Sequence, residues 1–202
     1  MTDKNPINIL RKEHEKVLKI LDRLEEDMES KDLKSMMINI AVLEKEFDKH
    51  SLNKEEKALF PELEKFMPRD GGPTGAMIME HKELVELIKN FKENLKTKDF
   101  EKLNKIGSNI FFILRPHIDK ENNMLFMMAD MHFDDKQKKR ILEKFKKFDL
   151  REWYMSKISI VKGKDRGENI IRAVKLIEDE IKKAIKNKKS KQLFIKINAI
   201  DS

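Results

Sequence analysis

The chain of 202 residues contains no cysteine. That excludes disulfides, thiolate zinc sites, cysteine-ligated iron–sulfur clusters and a cysteine nucleophile, so any metal must be held by His, Asp or Glu. Glycine (6) and proline (5) are scarce, which favours a few long helices over many short strands joined by turns. Tyrosine occurs once, at Tyr154 near the start of the C-terminal region, and tyrosyl-radical or tyrosinate chemistry is not expected. No apolar run is long enough to span a bilayer and the N-terminus lacks a signal-peptide pattern. The expectation is a cytoplasmic protein with no membrane partner.

Charge, by contrast, is abundant. Charged residues make up 40% of the chain and hydrophobic residues 39%, the balance of an amphipathic helical protein rather than a disordered one. The net charge of +7 is uneven: residues 1–135 carry about −5 and residues 136–202 about +12. A solvated lysine-rich surface is the bland reading of that tail and outweighs contact with nucleic acid. A protein partner, or a second copy joined through the C-terminal appendage, is the further expectation.

Hydrophobic spacing defines four long helices. The first opens at Asn5-Pro6 and carries Ile7, Leu10, Val17, Leu21 and Leu24 on one face. A second begins near Asp32 with Met36, Ile40, Leu43 and Phe47. Gly71-Gly72 between Pro68 and Pro73 marks a loop. A third helix follows Thr74 with Met77, Leu84, Ile88, Phe91 and Leu95. The fourth starts near Asp99 with Leu103, Ile106, Ile110 and Ile113, and continues through His117, Glu121, Met124 and Met128. Short connections argue for an up-down antiparallel four-helix bundle over residues 1–149, with a short fifth helix over residues 134–148. Residues 150–202 read differently. Ile158–Val161 and Gln192–Ile197 are strand-like and flank an amphipathic helix over Gly167–Lys188, so a basic β-α-β appendage is expected there, one that docks on the bundle, pairs with another chain or opens a longer, incomplete domain.

Each bundle helix carries one histidine in its apolar stripe: His14, His50, His81 and His117. His132 lies off the pattern. A lone His on an apolar face is more often a core residue with a hydrogen bond than a ligand. Four of them, one per helix, change that weighing, because burying four imidazoles without partners would cost several kcal/mol. Neutral imidazole is a ligand for iron, zinc and copper. His117 and Glu121, four residues apart, form a His–carboxylate pair on one helix face. After His50 the position four residues on is Lys54, a poor neighbour for a metal. The downstream apolar pattern, Leu59, Leu63 and Phe66, is coherent only if the register slips by one. A single π-bulge would absorb the slip and turn Glu55, in preference to Glu56, toward His50. The candidate ligand set is therefore His14, His50, Glu55, His81, His117 and Glu121, in which two carboxylates can bridge two metals and two imidazoles can cap each one. Glu13 and Glu80 each precede a candidate ligand. A surface role is expected of them, with support of the ligands or service as extra ligands as the alternatives. Met77, Met124 and Met128 are expected as core filler.

These segments carry a resemblance. Arg11–His14, His50 with Glu55-Glu56-Lys57-Ala58-Leu59-Phe60-Pro61, Met79–His81, and His117–Glu121 followed by Leu125-Phe126 resemble the hemerythrin-like, HHE cation-binding domains over residues 6–148. The resemblance implies two iron ions in an oxo- or hydroxo-bridged di-iron centre. Oxygen-carrying hemerythrins have a further His one turn after the third-helix His, where this chain has Val85. The four-His, two-Glu set looks more like bacterial proteins implicated in iron–sulfur repair and nitric oxide handling. The tail segments Ile158–Gly163 and Leu193–Asn198 look like the opening of an uncharacterised iron–sulfur-associated family. Three functions follow: a di-iron protein that binds or senses O₂, NO or peroxide or serves iron handling; an enzyme reducing peroxide or NO at the same centre; or a regulator using its basic tail. The low carboxylate count favours binding or sensing over enzymatic turnover.

Overall fold

The computed structural model describes residues 5–164. Five helices dominate it, and no strand occurs among the described residues. Helix α1 spans Pro6–Glu29. Helix α2 is continuous through an α-helical stretch Leu33–Phe47, a π-helical stretch Asp48–Leu59 and a final turn Phe60–Leu63. Helix α3 spans Pro73–Asn94. Helix α4 runs from Phe100–Lys120 through a second π-helical stretch Glu121–Leu125 into Phe126–His132. Helix α5 spans Asp135–Lys164.

The starts are set by local chemistry. Asn5 accepts the Ile7 amide at 3.0 Å and Pro6 occupies the first helical position, where a missing N–H costs nothing. Asp32 caps α2 through the Lys34 and Ser35 amides, and Asp99 caps α4 through Lys102. Helices α1 and α3 each pack against α2 and α4, the square arrangement of an up-down bundle with short loops. Most of the expected stripe positions are inside: Leu10, Leu21, Leu24, Met36, Ile40, Leu43, Leu84, Phe91, Leu103 and Ile110 are all fully buried, whereas Leu95, Ile106 and Ile113 are only partly buried against the core. This apolar cluster fills one length of the bundle, and the histidines follow it along the same helices.

The chain divides into two compact units, Met1–Lys146 and Lys147–Ser202. Within the first, the opening turns of α5 are anchored on α2. Glu62 is almost fully buried and accepts from Gln137 at 3.3 Å and from the Arg140 guanidinium at 3.1 Å. Burial works to raise this carboxyl, but its Arg140, Lys65 and Gln137 partners hold it down at about 2.

Three expectations are corrected. The fifth helix does not stop at residue 148; it runs to Lys164 and takes in Ile158–Val161, so the β-α-β appendage does not stand. A run of β-branched residues is a weak signal when no partner strand is present to pair with it. The helix expected over Gly167–Lys188 and the strand over Gln192–Ile197 lie outside the described residues. In α4 the inward positions beyond the metal-side residues are Leu125, Phe126 and Ala129, whereas Met124 is 44% exposed. The π-helical stretch from Glu121 turns the face by one residue, which the stripe through Met124 and Met128 did not anticipate. Phe66, expected in the core, is half exposed and stacks on His132.

Candidate metal centre

The structure brings all six candidate residues together. His14 comes from α1, His50 and Glu55 from the π-helical stretch of α2, His81 from α3, and His117 and Glu121 from α4. None is more than 3% exposed. They form two overlapping sets, His14–His50–Glu55–Glu121 and His81–His117–Glu55–Glu121, each with its ligand atoms within 4.8 Å of one another. The two carboxylates belong to both sets and each histidine to one. Glu55 turns Oε1 toward His50 Nε2 at 3.0 Å and Oε2 toward His81 Nε2 at 3.6 Å. Glu121 Oε2 stands 3.2 Å from His14 Nε2 and 3.3 Å from His117 Nε2.

The outer nitrogen of every ring is committed elsewhere. His50 Nδ1 lies 2.9 Å from Glu13, His81 Nδ1 2.8 Å from Glu56, His117 Nδ1 2.7 Å from Glu80, and His14 Nδ1 3.0 Å from Asn122 Oδ1. A carboxylate oxygen and the Asn122 amide oxygen only accept, so each fixes the proton on the Nδ1 it faces and leaves the Nε2 lone pair bare. Four bare Nε2 atoms then converge in pairs, His14 on His50 at 2.8 Å and His81 on His117 at 3.0 Å. Two lone pairs so close repel unless a cation lies between or beside them. In the metal-free protein that cation is a proton. Burial pulls the His50 imidazole down, but Glu55 and Glu13 outweigh it and push it up to about 10. His117 is likewise opposed by burial and pushed up to about 10 by Glu121 and Glu80. Glu121, which burial would raise, is held well below the ordinary carboxylate value by His117 and His14.

The carboxylates supply the second test of fit. Both oxygens of Glu55 and both of Glu121 are buried without a hydrogen-bond partner. They lie near enough to the imidazoles for charge attraction but are not aligned as hydrogen bonds. Buried carboxylate oxygens left without donors are costly, and bound metal ions would satisfy them. The donor set of four imidazoles and two carboxylates suits iron, and equally other first-row metals.

Sequence reasoning undervalued the residues around the set. Glu13 is not a surface residue: it is 7% exposed, grips His50, and is itself gripped by Lys54 Nζ at 2.5 Å. Lys54 is fully buried yet points away from the cluster, with Nζ 5.2 Å from the Phe145 ring centre. Burial works to raise the Glu13 carboxyl, but the hydrogen bond and charge of His50, joined by Lys54, hold it down at about 2. Glu80 is partly exposed, grips His117 and is gripped by Lys120. Glu56, weighed only as an alternative ligand, instead orients His81, and Asn122 was not singled out at all.

An internal repeat would have found them. Glu13-His14 and Glu80-His81 match, His50 and His117 each follow 36 residues later, and Lys54-Glu55-Glu56 matches Lys120-Glu121-Asn122. In each half the Glu before the first His holds the second His, and the Lys before the shared carboxylate holds that Glu. The register slip is the one-residue excess between His50 and Lys54, spread over the whole π-helical stretch Asp48–Leu59 rather than a single bulge. Lys54→Met is expected to destabilise the metal-free protein by about 3 kcal/mol, because Glu13 loses one of its two buried partners. Adding Glu13→Gln should restore a large part of that loss in urea titrations.

The family model of the hemerythrin HHE cation-binding domain matches residues 5–129. The chain belongs to that family. All six residues of the two sets fall inside the matched span, and a metal-binding role for this domain accords with the geometry above. No curated protein and no solved structure matches the chain. No described helix of this HHE domain is long and apolar enough to cross a membrane.

Proposed function

We propose that this HHE domain holds two iron ions and uses them to bind or sense a small ligand of the O₂, NO or peroxide class in the cytoplasm. The observation that carries the reading is the pairing of four bare Nε2 atoms with four unpartnered carboxylate oxygens in two overlapping sets. His14 and His50 would hold one ion and His81 and His117 the other, with Glu55 and Glu121 shared. Such a pair supplies a reversible redox change and an open position for a diatomic or peroxide ligand.

This chain's own residues do the rest. Glu13, Glu56, Glu80 and Asn122 hold the rings with Nε2 inward. Phe126 lies parallel to His14 with ring centres 5.1 Å apart, and Phe60 lies parallel to His81 at 6.0 Å. Both phenylalanines are fully buried and shield the rings from bulk water. Val17, Phe47, Leu114 and Ile118 wall a cavity of about 10 Å³ beside His14, His50, His117 and Glu121, with Ser51 as its hydroxyl. That volume is at the lower limit for one water-sized group, which favours a ligand of one or two heavy atoms over an organic substrate. This size limit supports ligand binding over catalysis on larger molecules.

The test is anaerobic iron loading of the full chain followed by optical spectra with O₂, NO and hydrogen peroxide. Uptake near two ions per chain, with visible ligand-to-metal bands that change on adding one of these gases, is the expected result. Uptake below about half an ion per chain would contradict the reading.

A further inference from the structure

The two halves of the cluster match residue for residue except in what surrounds them, and the difference is electrostatic. In the His81–His117 half both outer nitrogens meet carboxylates, Glu56 and Glu80. The Lys120 ammonium that touches Glu80 is 39% exposed, so water screens it. In the His14–His50 half one outer nitrogen meets Glu13, whose charge is offset by the fully buried Lys54. The other meets Asn122, a neutral amide standing where the repeat has Glu56. A carboxylate behind an imidazole makes the imidazole a stronger donor to a metal, and an amide does so less. Arg11 donates to the Asn122 backbone carbonyl at 2.9 Å and so holds that residue beside His14; its own charge is part-exposed and faces Asp130 at 3.8 Å.

We infer that the two halves bind metal unequally, with the His81–His117 half filling first and tightly, and that Asn122 is the positioning residue that keeps the His14–His50 half weak and exchangeable. This inference rests on the metal-binding reading above. The cavity borders both histidines of the weak half but only His117 of the other, so the small-ligand position adjoins the ion that is more easily lost.

The experiment is stepwise anaerobic titration of the full-length, metal-free chain with Fe²⁺ against a chromophoric chelator. Two steps separated by at least about tenfold in affinity are expected. Asn122→Asp should tighten the second step by about 10–100-fold and leave the first within threefold, because it supplies the missing carboxylate beside Arg11. Glu56→Gln should weaken the first step and narrow the separation. His14→Ala should retain the tight step and His81→Ala should lose it, which places the steps in their halves. Two ions of indistinguishable affinity, or a second step unmoved by Asn122→Asp, would overturn the inference while leaving the two-ion reading intact. Total uptake below about half an ion per chain would defeat both.

Discussion

Glu121→Ala is expected to reduce iron uptake from about two ions per chain to nearly none, whereas His81→Ala should leave about one. The contrast follows from membership. Glu121 Oε2 faces His14 and His117, one histidine from each set, and the residue belongs to both sets; His81 belongs to one. Removing a shared carboxylate takes an anionic donor from both positions and leaves the facing imidazole pairs with less negative charge to hold a cation. Removing one capping imidazole spares the opposite pair. Metal analysis after anaerobic equilibrium dialysis against excess Fe²⁺ reads the result, so that a weakly held ion is still counted, and circular dichroism of the metal-free variants checks that each bundle has formed. Equal loss in the two variants would show that the sets do not fill as two separable positions.

Metal-induced stabilisation should grow as pH rises from about 6.5 to 10. The sign follows from the two raised imidazoles. In the metal-free fold His50 and His117 are each pushed up to about 10 from an ordinary 6.5. A raised folded value contributes stability that is fully present below the unfolded value and is lost as pH climbs through the folded one. The metal-free bundle therefore weakens across this window. Metal affinity moves the other way, because each ion must displace a proton from its histidine pair and fewer protons compete at higher pH. Uptake at pH 7 should release about two protons per filled centre, measurable in weakly buffered dye. With free metal near a thousandfold above the dissociation constant of the tight position, filling that position alone adds about 4 kcal/mol, roughly 8–16 °C in Tm for a chain of this size. On the acid side Glu13, held at about 2, contributes stability that is present above its ordinary 4.5 and lost only as pH falls toward 2. A Tm increment on metal loading that shrinks between pH 6.5 and 9 would contradict this assignment of the protons.

The helices and their inward faces were legible because a helix that buries one stripe repeats its apolar residues every three or four positions. Leu10, Val17, Leu21 and Leu24 needed nothing more. The π-helical stretch of α2 was half legible. The conflict between Lys54 and the downstream leucines revealed a slip, but not that twelve residues share it. The π-helical stretch of α4 left no conflict at all, since Met124 is as apolar as Leu125 and periodicity cannot choose between them. The ring-holding residues were missed for another reason. Glu13 and Glu80 act on histidines of neighbouring helices, and a one-helix reading places a charged residue beside an inward position on the surface by default. Tertiary pairing overrides that default wherever a buried nitrogen needs an acceptor. The tail failed through the opposite error: Ile158–Val161 has strand-like residues, but strand propensity reports a fit to neighbouring strands, and none is present in the described part.

Each of the four bundle helices contributes one imidazole, and this has a kinetic meaning. On the proposed reading, one ion held by α1 and α2 and another held by α3 and α4, with Glu55 and Glu121 common to both sets, would tie the helices together like a cross-link. No single helix could then swing out without breaking coordination, so partial openings that would expose the site in the metal-free bundle would be suppressed in the loaded one. The exit path for metal would be the breathing of the bundle itself. Once a chelator is abundant, the rate of metal loss would be set by how often the protein opens, and more chelator would not hasten it.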